Sequence, residues 1–252
     1  MSQQDAPLRG RRVVTTRDEP GELDRLLAEA GADVVHVPLI EIADPLDGGA
    51  ELQEVLDRLD DVDWVVVTSH HGAARVGKGL ADHPQVRTAA VGTRTASEIE
   101  RLAGRPVDVR PSRQTAADLL EAMPPDGHGQ VVVVAHADRA DPALGVGLSA
   151  LGYRVRPVVA YRTLARTPSA GERAAALGAD AVAFASGSAA QAWHDAIGTE
   201  TPSVVVAIGP TTEGAARACG LDVTHVAEEH SVEGLVAAVV AALATRKGES
   251  RH

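Results

Sequence analysis

The chain has 252 residues, enough for one large domain or two of ordinary size. Its net charge of −11 and its aromatic content of 2% argue against nucleic-acid or membrane-surface partners, because these require clustered Lys and Arg or stacking aromatic side chains. The single Cys219 excludes an internal disulfide, and the absence of a secretory signal pattern and of an apolar run of about 20 residues predicts a cytoplasmic protein.

Short β-branched runs alternate with amphipathic helical patterns along the chain. The predicted strands are Val13–Thr16, Val34–Val37, Trp64–Thr68, Thr88–Val91, Val107–Arg110, Val131–Ala135, Val155–Ala160, Ala181–Ala185, Val204–Ile208 and Val223–Ala227. The predicted helices are Glu22–Ala30, Ala96–Ala103, Thr115–Met123, Ala143–Leu151, Ala215–Cys219 and Ser231–Leu243. Several strands are apolar almost throughout, which is typical of parallel sheets covered by helices on both faces. The pattern predicts an α/β fold.

Two stretches of the sequence match each other without a gap, Val62–Ala96 and Ala179–Glu213. The offset is 117 residues (180 − 63), and it relates Asp63 to Asp180, Ser69 to Ser186, Gly92 to Gly209 and Thr95 to Thr212. A looser match relates Val13–Pro38 to Val131–Val159, each reading strand, helix, glycine, strand. The chain therefore contains a doubled α/β unit, and we expect function in a cleft between two such lobes.

In each copy, a glycine-containing turn follows a strand and opens a helix, at Gly92–Ala96 and at Gly209–Glu213. Glycine allows a ligand to approach the backbone, and free N–H groups at a helix start attract carboxylate or phosphate. The dinucleotide fingerprint G-x-G-x-x-G and the P-loop ending Gly-Lys-Ser/Thr are both absent, which disfavours nucleotide binding. The alternative is an ordinary turn in which Thr95 or Thr212 is the helix N-cap.

A second pair of turns contains Ser69 and Ser186, also at the carboxyl ends of strands, where open α/β sheets bind ligands. Ser69 is not in a G-x-S-x-G elbow, which disfavours a hydrolase nucleophile, and we expect both serines to cap helices. His70 and His71 are expected on a loop, pointing in different directions, and no Cys or His cluster of metal-ligand spacing accompanies them. We therefore predict no metal site.

Tyr161 is one of only two tyrosines in the chain and follows the predicted strand Val155–Ala160. A phenol can donate a proton or a hydrogen bond to a leaving hydroxyl without carrying charge. The alternative is an aromatic side chain packed at a domain junction with its hydroxyl satisfied.

These features recur in a definite order along the chain. They comprise Val13–Thr16 with Arg17, Gly31 with Pro38–Ile40, Asp63–Ser69, Val91-Gly92 with Thr95-Ala96, Gly152-Tyr153 with Val159–Thr163, Phe184–Ser186, and Ala207–Thr212. In order and spacing the set resembles the uroporphyrinogen-III synthase family, from about Val13 to Leu243. The chain departs from the family pattern after Ser69, where it has His70-His71-Gly72, and after Thr212, where it has Glu213.

The resemblance implies two flavodoxin-like or Rossmann-like domains with parallel sheets, joined by a two-stranded linker. Residues 1–37 and 163–252 would form a discontinuous first domain, residues 42–155 the second, and residues 38–41 and 156–162 the crossing linkers. Pro38 and Pro157 would lie in those linkers, where proline suits an isolated ribbon. Each domain would then combine segments from both sequence copies.

The resemblance also implies a function: the cyclisation of hydroxymethylbilane to uroporphyrinogen III, with loss of water and inversion of the last pyrrole ring. This is a cofactor-independent hydro-lyase or cyclase reaction of tetrapyrrole and haem biosynthesis, without a metal. Tyr161 is the expected catalytic residue. The expected substrate-binding residues are Arg17, Ser69, Gly92, Arg94, Thr95, Arg113, Arg139, Ser186, Ser188, Gly209, Thr211 and Thr212. The partner is the linear tetrapyrrole substrate alone, and a monomer is the simplest expectation.

Two other readings share these features. A non-catalytic protein with two α/β lobes closing on a small anion has the same turns and the same repeat. An NAD-type oxidoreductase has a similar alternation of elements, but the missing glycine fingerprint disfavours it.

Overall fold

The computed structural model describes residues 6–125 and 128–249, so the outermost parts of the predicted first domain, 1–5 and 250–252, lie outside the described residues. Strands and helices alternate along the described chain. The strands are β1 (Arg12–Thr15), β2 (Asp33–His36), β3 (Ile40–Ala43), β4 (Trp64–Val67), β5 (Arg87–Ala90), β6 (Val131–Ala137), β7 (Arg154–Ala165), β8 (Ala181–Phe184), β9 (Val204–Ala207) and β10 (His225–Val226). The helices are α1 (Glu22–Glu29), α2 (Ala50–Leu56), α3 (His70–Val76), α4 (Thr93–Ala103), α5 (Ala116–Ala122), α6 (Ala143–Ala150), α7 (Ala170–Leu177), α8 (Gly187–Ile197), α9 (Pro210–Ala218) and α10 (Val232–Glu249), with a short 3-10 helix at Leu59–Asp61.

Several predicted elements differ from the structure. The predicted strand Val107–Arg110 forms only an isolated parallel bridge between Val109 and Ala89. The predicted elements lack strand β3 and helices α2, α3, α7 and α8, although helix starts are expected at Ser69 and Ser186, where α3 and α8 begin. Helix α7 begins with a capping box, in which the Ser169 hydroxyl accepts from the Glu172 N–H and the Glu172 carboxylate accepts from the Ser169 N–H. This S-x-x-E pattern is the sequence signal that was missed.

The chain divides into two compact units. The first contains the chain up to Glu41 and from Leu164 onward, and the second contains Ile42–Thr163. The first unit has a five-stranded sheet in the order β10-β9-β8-β1-β2, with parallel pairing throughout. Numbered within the unit, this is the order 2-1-3-4-5 of flavodoxin-like folds.

The second unit repeats this arrangement. Its sheet has the order β3-β7-β6-β4-β5, with parallel pairing from β7 to β5, and Val109 bridges the outer edge of β5. The series β5-β4-β6-β7 therefore corresponds to β9-β8-β1-β2. Each unit joins the strand–helix–strand segment of one sequence copy to the longer segment of the other. An α/β fold with parallel sheets is confirmed.

Equivalent aspartates open the equivalent strands β4 and β8. The Asp63 carboxylate accepts a hydrogen bond from the Val131 N–H at 2.8 Å, at the start of β6. The Asp180 carboxylate accepts one from the Arg12 N–H at 2.8 Å, at the start of β1. Each carboxylate thus satisfies the first N–H of the neighbouring strand, which explains why the sequence repeat preserves it.

Helices cover both faces of each sheet, so the central strands are apolar throughout. All four residues of β4, of β8 and of β9 are buried. Pro157 is not in an isolated ribbon as predicted, because it lies within β7 and pairs with Val134 of β6. No helix in the described part of the chain is long and apolar enough to cross a membrane.

Candidate functional site

In the second unit, the turn between β4 and α3 is built on Ser69. Its hydroxyl accepts a hydrogen bond from the Gly72 N–H at 3.1 Å, so the predicted helix capping is confirmed. The expectation that His70 and His71 lie on a loop is wrong, because they are the first two residues of α3. Their ring centroids are 3.8 Å apart, with the planes tilted by 41°. Capping by Ser69 therefore orders both imidazoles at the carboxyl end of the sheet.

The next turn of the second unit joins β5 to α4. Gly92 is the N-cap, and Thr95 is a buried residue in the first turn, so the alternative with Thr95 as N-cap is wrong. The Thr93 N–H donates to the Gln114 side-chain oxygen at 3.1 Å. A Cβ at Gly92 would lie 3.0 Å from that oxygen, which explains the glycine. Gln114 was not identified from the sequence, since it lies 21 residues from its partner.

The first unit repeats both turns. The Ser186 hydroxyl accepts from the Ala189 N–H at 3.2 Å and lies 3.0 Å from the Ser188 hydroxyl. Gly209 is the N-cap of α9, and Thr212 is a buried first-turn residue rather than the N-cap. A Cβ at Gly209 would lie 3.1 Å from the His230 ring. Thr211, between Pro210 and Thr212, is exposed. Within each unit, the predicted serine and glycine turns follow adjacent strands at the carboxyl end of the sheet.

The four predicted arginines differ in their surroundings. Arg113 donates to the Asp118 carboxylate through Nε at 2.9 Å and through a terminal nitrogen at 2.6 Å, and this contact raises the pKa of Arg113. Arg139 is 86% exposed, with its Nε 4.0 Å from the Asp138 carboxylate. Arg17 is exposed two residues after β1, and Arg94 is exposed as the second residue of α4. Arg113 and Arg139 thus each lie beside a carboxylate, and the contact of Arg113 with Asp118 is the shorter of the two.

Tyr161 lies in β7 at a β-bulge. His136 of β6 pairs with Val159 and Ala137 pairs with Tyr161, so Ala160 is the extra residue. A bulge changes the direction of the side chains that follow it, and bulges are frequent beside active sites. The Tyr161 side chain is 7% exposed.

Two side chains of α3 pack on the Tyr161 ring. The His71 ring centroid is 5.4 Å from that of Tyr161, with the planes at 59°. The Arg75 guanidinium carbon is 5.8 Å from the Tyr161 centroid, within the range of a cation–π contact. Since α3 is capped by Ser69, the predicted binding turn and the predicted catalytic residue belong to one local assembly of the second unit.

Two aspartates that the sequence did not single out fix the segment around Tyr161. The Asp44 carboxylate accepts from Arg75 at 3.0 Å, and the Asp44 carbonyl accepts from Arg162 Nε at 2.8 Å. Asp138 donates its N–H to the Tyr161 carbonyl at 3.0 Å and accepts from the Thr163 N–H at 3.1 Å. The backbone on either side of Tyr161 is therefore hydrogen-bonded, and the cation over its ring is itself paired.

Comparisons with known proteins agree on one family. The family model described as "Uroporphyrinogen-III synthase HemD" matches residues 21–237. A mutant uroporphyrinogen III synthase from Thermus thermophilus is 20% identical, with a TM-score of 0.57, and the match covers 93% of this chain and 99% of that chain. A uroporphyrinogen-III synthetase from Helicobacter pylori is 16% identical, with a TM-score of 0.62 and coverages of 92% and 99%. At these identities the two structures support the fold. A search of curated proteins finds no match.

Proposed function

Since the chain belongs to the uroporphyrinogen-III synthase family, we propose that it closes hydroxymethylbilane into uroporphyrinogen III with Tyr161 as the proton donor to the departing hydroxyl. The observation that carries the assignment is the position of Tyr161, on a bulged strand and against two side chains of α3. The alternative of a non-catalytic anion-binding protein has no comparable support, because the matching family is one of enzymes.

The chemistry needs little acid–base assistance beyond this phenol. The electron pair of the terminal pyrrole expels the hydroxyl, Tyr161 supplies the proton that makes it water, and a cationic azafulvene remains. The substituted carbon of the last ring attacks this cation to form a spiro intermediate. The original bond between this carbon and its methylene bridge then breaks, which leaves a new azafulvene cation on the preceding ring, and the free α-carbon of the last ring attacks that cation, so the ring is inverted. The proton lost from this α-carbon as the pyrrole regains aromaticity returns to the phenolate. Atoms balance with one water released.

Positioning decides which isomer forms. Without restraint, the chain ends join head to tail and the last ring is not inverted. A protein that holds both ends favours attack at the substituted carbon by lowering the entropy lost in reaching that geometry. This explains why the site carries turns and hydrogen-bond donors rather than a strong acid.

The eight carboxylates of the bilane require local donors, because the protein as a whole has a net charge of −11. We assign this role to the turns at Ser69 and at Gly92–Thr95 in the second unit, and at Ser186–Ser188 and Gly209–Thr212 in the first. Arg17, Arg94, Arg113 and Arg139 are the counter-charges that we propose. The Arg113 side chain is 78% exposed, whereas that of its partner Asp118 is 12% exposed.

The remaining proposals follow from composition and charge. The enzyme acts in the cytoplasm as a monomer on a small-molecule substrate, without nucleic acid or membrane. These assignments rest on the acidic net charge and on the family match.

The two tyrosines of the chain provide a matched test. Tyr161→Phe removes only the hydroxyl, and we expect kcat for type III product to fall by about 100-fold with KM little changed. Tyr153→Phe is the control: its hydroxyl donates to the Pro124 carbonyl at 3.1 Å, and its loss costs about 1 kcal/mol of stability but leaves kcat unchanged. A Tyr161→Phe protein with wild-type kcat would reject the proton-donor role.

A further inference from the structure

The second unit contains a cavity of about 480 Å³ between α6 and the sheet. Its walls are mainly apolar residues of β6, β7 and α6, with a few polar residues among them. The lining includes Thr68, Val134, His136, Asp141, Gly145 and Val155. The rim is open, because Val146 is 66% exposed. This size and this distribution of polar groups are those of a small-molecule pocket.

The first unit fills the corresponding place. Arg12 pairs with Asp33 as Val131 pairs with Arg154, so Thr15 corresponds to Val134. There, the Thr15 hydroxyl donates to the buried Asp24 carboxylate at 2.5 Å.

Helix α1 of the first unit corresponds to helix α6 of the second. Asp24 is the third residue of α1, and Gly145 is the third residue of α6. A hydrogen-bonded Thr–Asp pair in one unit is thus a Val–Gly pair in the other. The missing side chain at Gly145 contributes to the space, since a Cβ there would lie 3.7 Å from Val155 with no closer contact.

The cavity lies where an α/β sheet of this order binds ligands. The strand order reverses between β4 and β6, and the crevice at the carboxyl ends of two such strands is the usual ligand site. Thr68 follows β4, and His136 is near the end of β6. Thr68 also directly precedes Ser69, so the apolar pocket adjoins a turn that we assign to a substrate carboxylate.

We propose that this cavity binds one pyrrole ring of the linear tetrapyrrole, with the acidic groups of that ring directed toward the Thr68–Ser69 turn. The inference rests on the proposed function. Apolar walls match the two faces of a pyrrole, while the carboxylates at its edge need hydrogen-bond donors. The Asp141 carboxylate, which accepts from the Ala143 N–H at 2.8 Å, repels the acidic groups from the opposite rim. A ring held here restrains one part of a flexible chain, which is the restraint that inversion requires.

Filling the cavity provides the test. Gly145→Leu places a side chain in the pocket, and Gly171→Leu is its control, because Gly171 is in the first turn of another eight-residue helix with nothing within 4 Å of a Cβ. We expect Gly145→Leu to raise KM for hydroxymethylbilane about tenfold or more and to increase the type I fraction, since the ring loses its buried apolar contacts. The control should keep wild-type KM and isomer ratio.

A second variant covers the case in which leucine prevents folding. Val134→Thr with Gly145→Asp copies the pair that the first unit buries, and it should have the same kinetic effect as Gly145→Leu. Saturation-transfer NMR with 2,4-dimethylpyrrole should detect binding to the wild type and to Gly171→Leu and not to the filled variants.

The outcomes separate the two proposals. If the wild type makes type III product and folded filled variants keep its KM and isomer ratio, the ring assignment is overturned while the proposed function stands. If the probe fails to bind the wild type, and filling only raises the unfolding temperature, the cavity is a packing void and the assignment is also wrong. If the wild type makes no type III product, the proposed function itself fails.

Discussion

The two units share one scaffold and differ in what they place on it. Both have four equivalent strands in the same order, an aspartate that satisfies a neighbouring strand, a serine N-cap, and a glycine N-cap followed by a buried threonine. After the serine cap, however, the second unit has His70-His71 where the first has Gly187-Ser188. The second unit has a tyrosine, Tyr161, in β7. The corresponding strand of the first unit, β2, ends at His36 and contains no tyrosine.

Under the proposed function, this difference gives separate tasks to the two copies. The first unit offers small, polar turns of the kind that bind carboxylates. The second adds bulky side chains around a phenol, and it leaves open the cavity that the first closes with Thr15 and Asp24. A duplicated unit can thus keep its folding determinants while one copy acquires the residues for chemistry.

Loss of the Thr15–Asp24 hydrogen bond in the first unit should have the largest effect on stability. Thr15→Val leaves one Asp24 oxygen buried without its hydroxyl donor, although the Gly21 N–H still donates to the other oxygen at 2.7 Å. We expect a loss of about 1–3 kcal/mol, measured as a lower urea midpoint. An unchanged midpoint would mean that the Thr15–Asp24 pair does not hold this part of the first unit together.

The threonines of the two glycine turns test whether both units bind substrate. Thr95→Val and Thr212→Val each remove a buried hydroxyl at nearly constant volume. If both turns bind carboxylates, each variant should raise KM by about threefold to tenfold, in line with the loss of one hydrogen bond. Product affinity measured by fluorescence titration is the second readout. An effect confined to one unit would show that the other turn only opens its helix.

The two serine caps should contribute equally to stability. Ser69→Ala and Ser186→Ala each remove the acceptor of one helix N–H and should cost about 1 kcal/mol in thermal unfolding experiments. Since Ser69 also orients α3 against Tyr161, its loss should lower kcat, whereas Ser186→Ala should act mainly on KM. Identical kinetic effects of the two variants would contradict the division of tasks.

Acid should affect the two units through carboxylates at the starts of their helices. The pKa of Glu172 falls from 4.5 to about 2, mainly because the Ser169 N–H donates to it and also because Arg166 and the Ser169 hydroxyl do. The pKa of Asp47 before α2 is also lowered, first by the Glu51 N–H and then by the Gly49 N–H.

A carboxyl with a lowered folded-state pKa stabilises the fold above its unfolded pKa, and this contribution disappears as the pH falls through the folded value. For Glu172, this stabilising contribution is lost as the pH falls from about 4.5 to about 2. Glu172→Gln and Asp47→Asn should each flatten the acid limb of the stability curve slightly. An acid limb that keeps its full slope in Glu172→Gln would show that this capping box has no role in it.

The sequence predicts the strands of the interior well, because β4, β8 and β9 are buried on both faces and need uniformly apolar side chains. The sequence pattern predicts a full strand at Val107–Arg110, but this apolar alternation at the sheet edge forms only a single bridge. It predicts the serine and glycine turns, since those residue types follow directly from local backbone requirements at a helix start.

The contacts that complete the site cannot be predicted from local sequence patterns. Asp44 and Arg162 meet across 118 residues, and the direction of the Tyr161 side chain depends on a bulge that no local pattern announces. The cavity could be predicted only from the knowledge that Val134 and Gly145 line one space and correspond to Thr15 and Asp24 of the other copy. These facts follow from tertiary register, which periodicity alone does not specify.

The identity of the cyclic product tests the account most directly. The purified protein is incubated with hydroxymethylbilane, the products are oxidised, and the porphyrin isomers are separated and quantified against a protein-free control. The account predicts that type III porphyrin predominates and that its rate of formation scales with protein concentration. Formation of type I porphyrin alone, at the rate of the protein-free control, would contradict it.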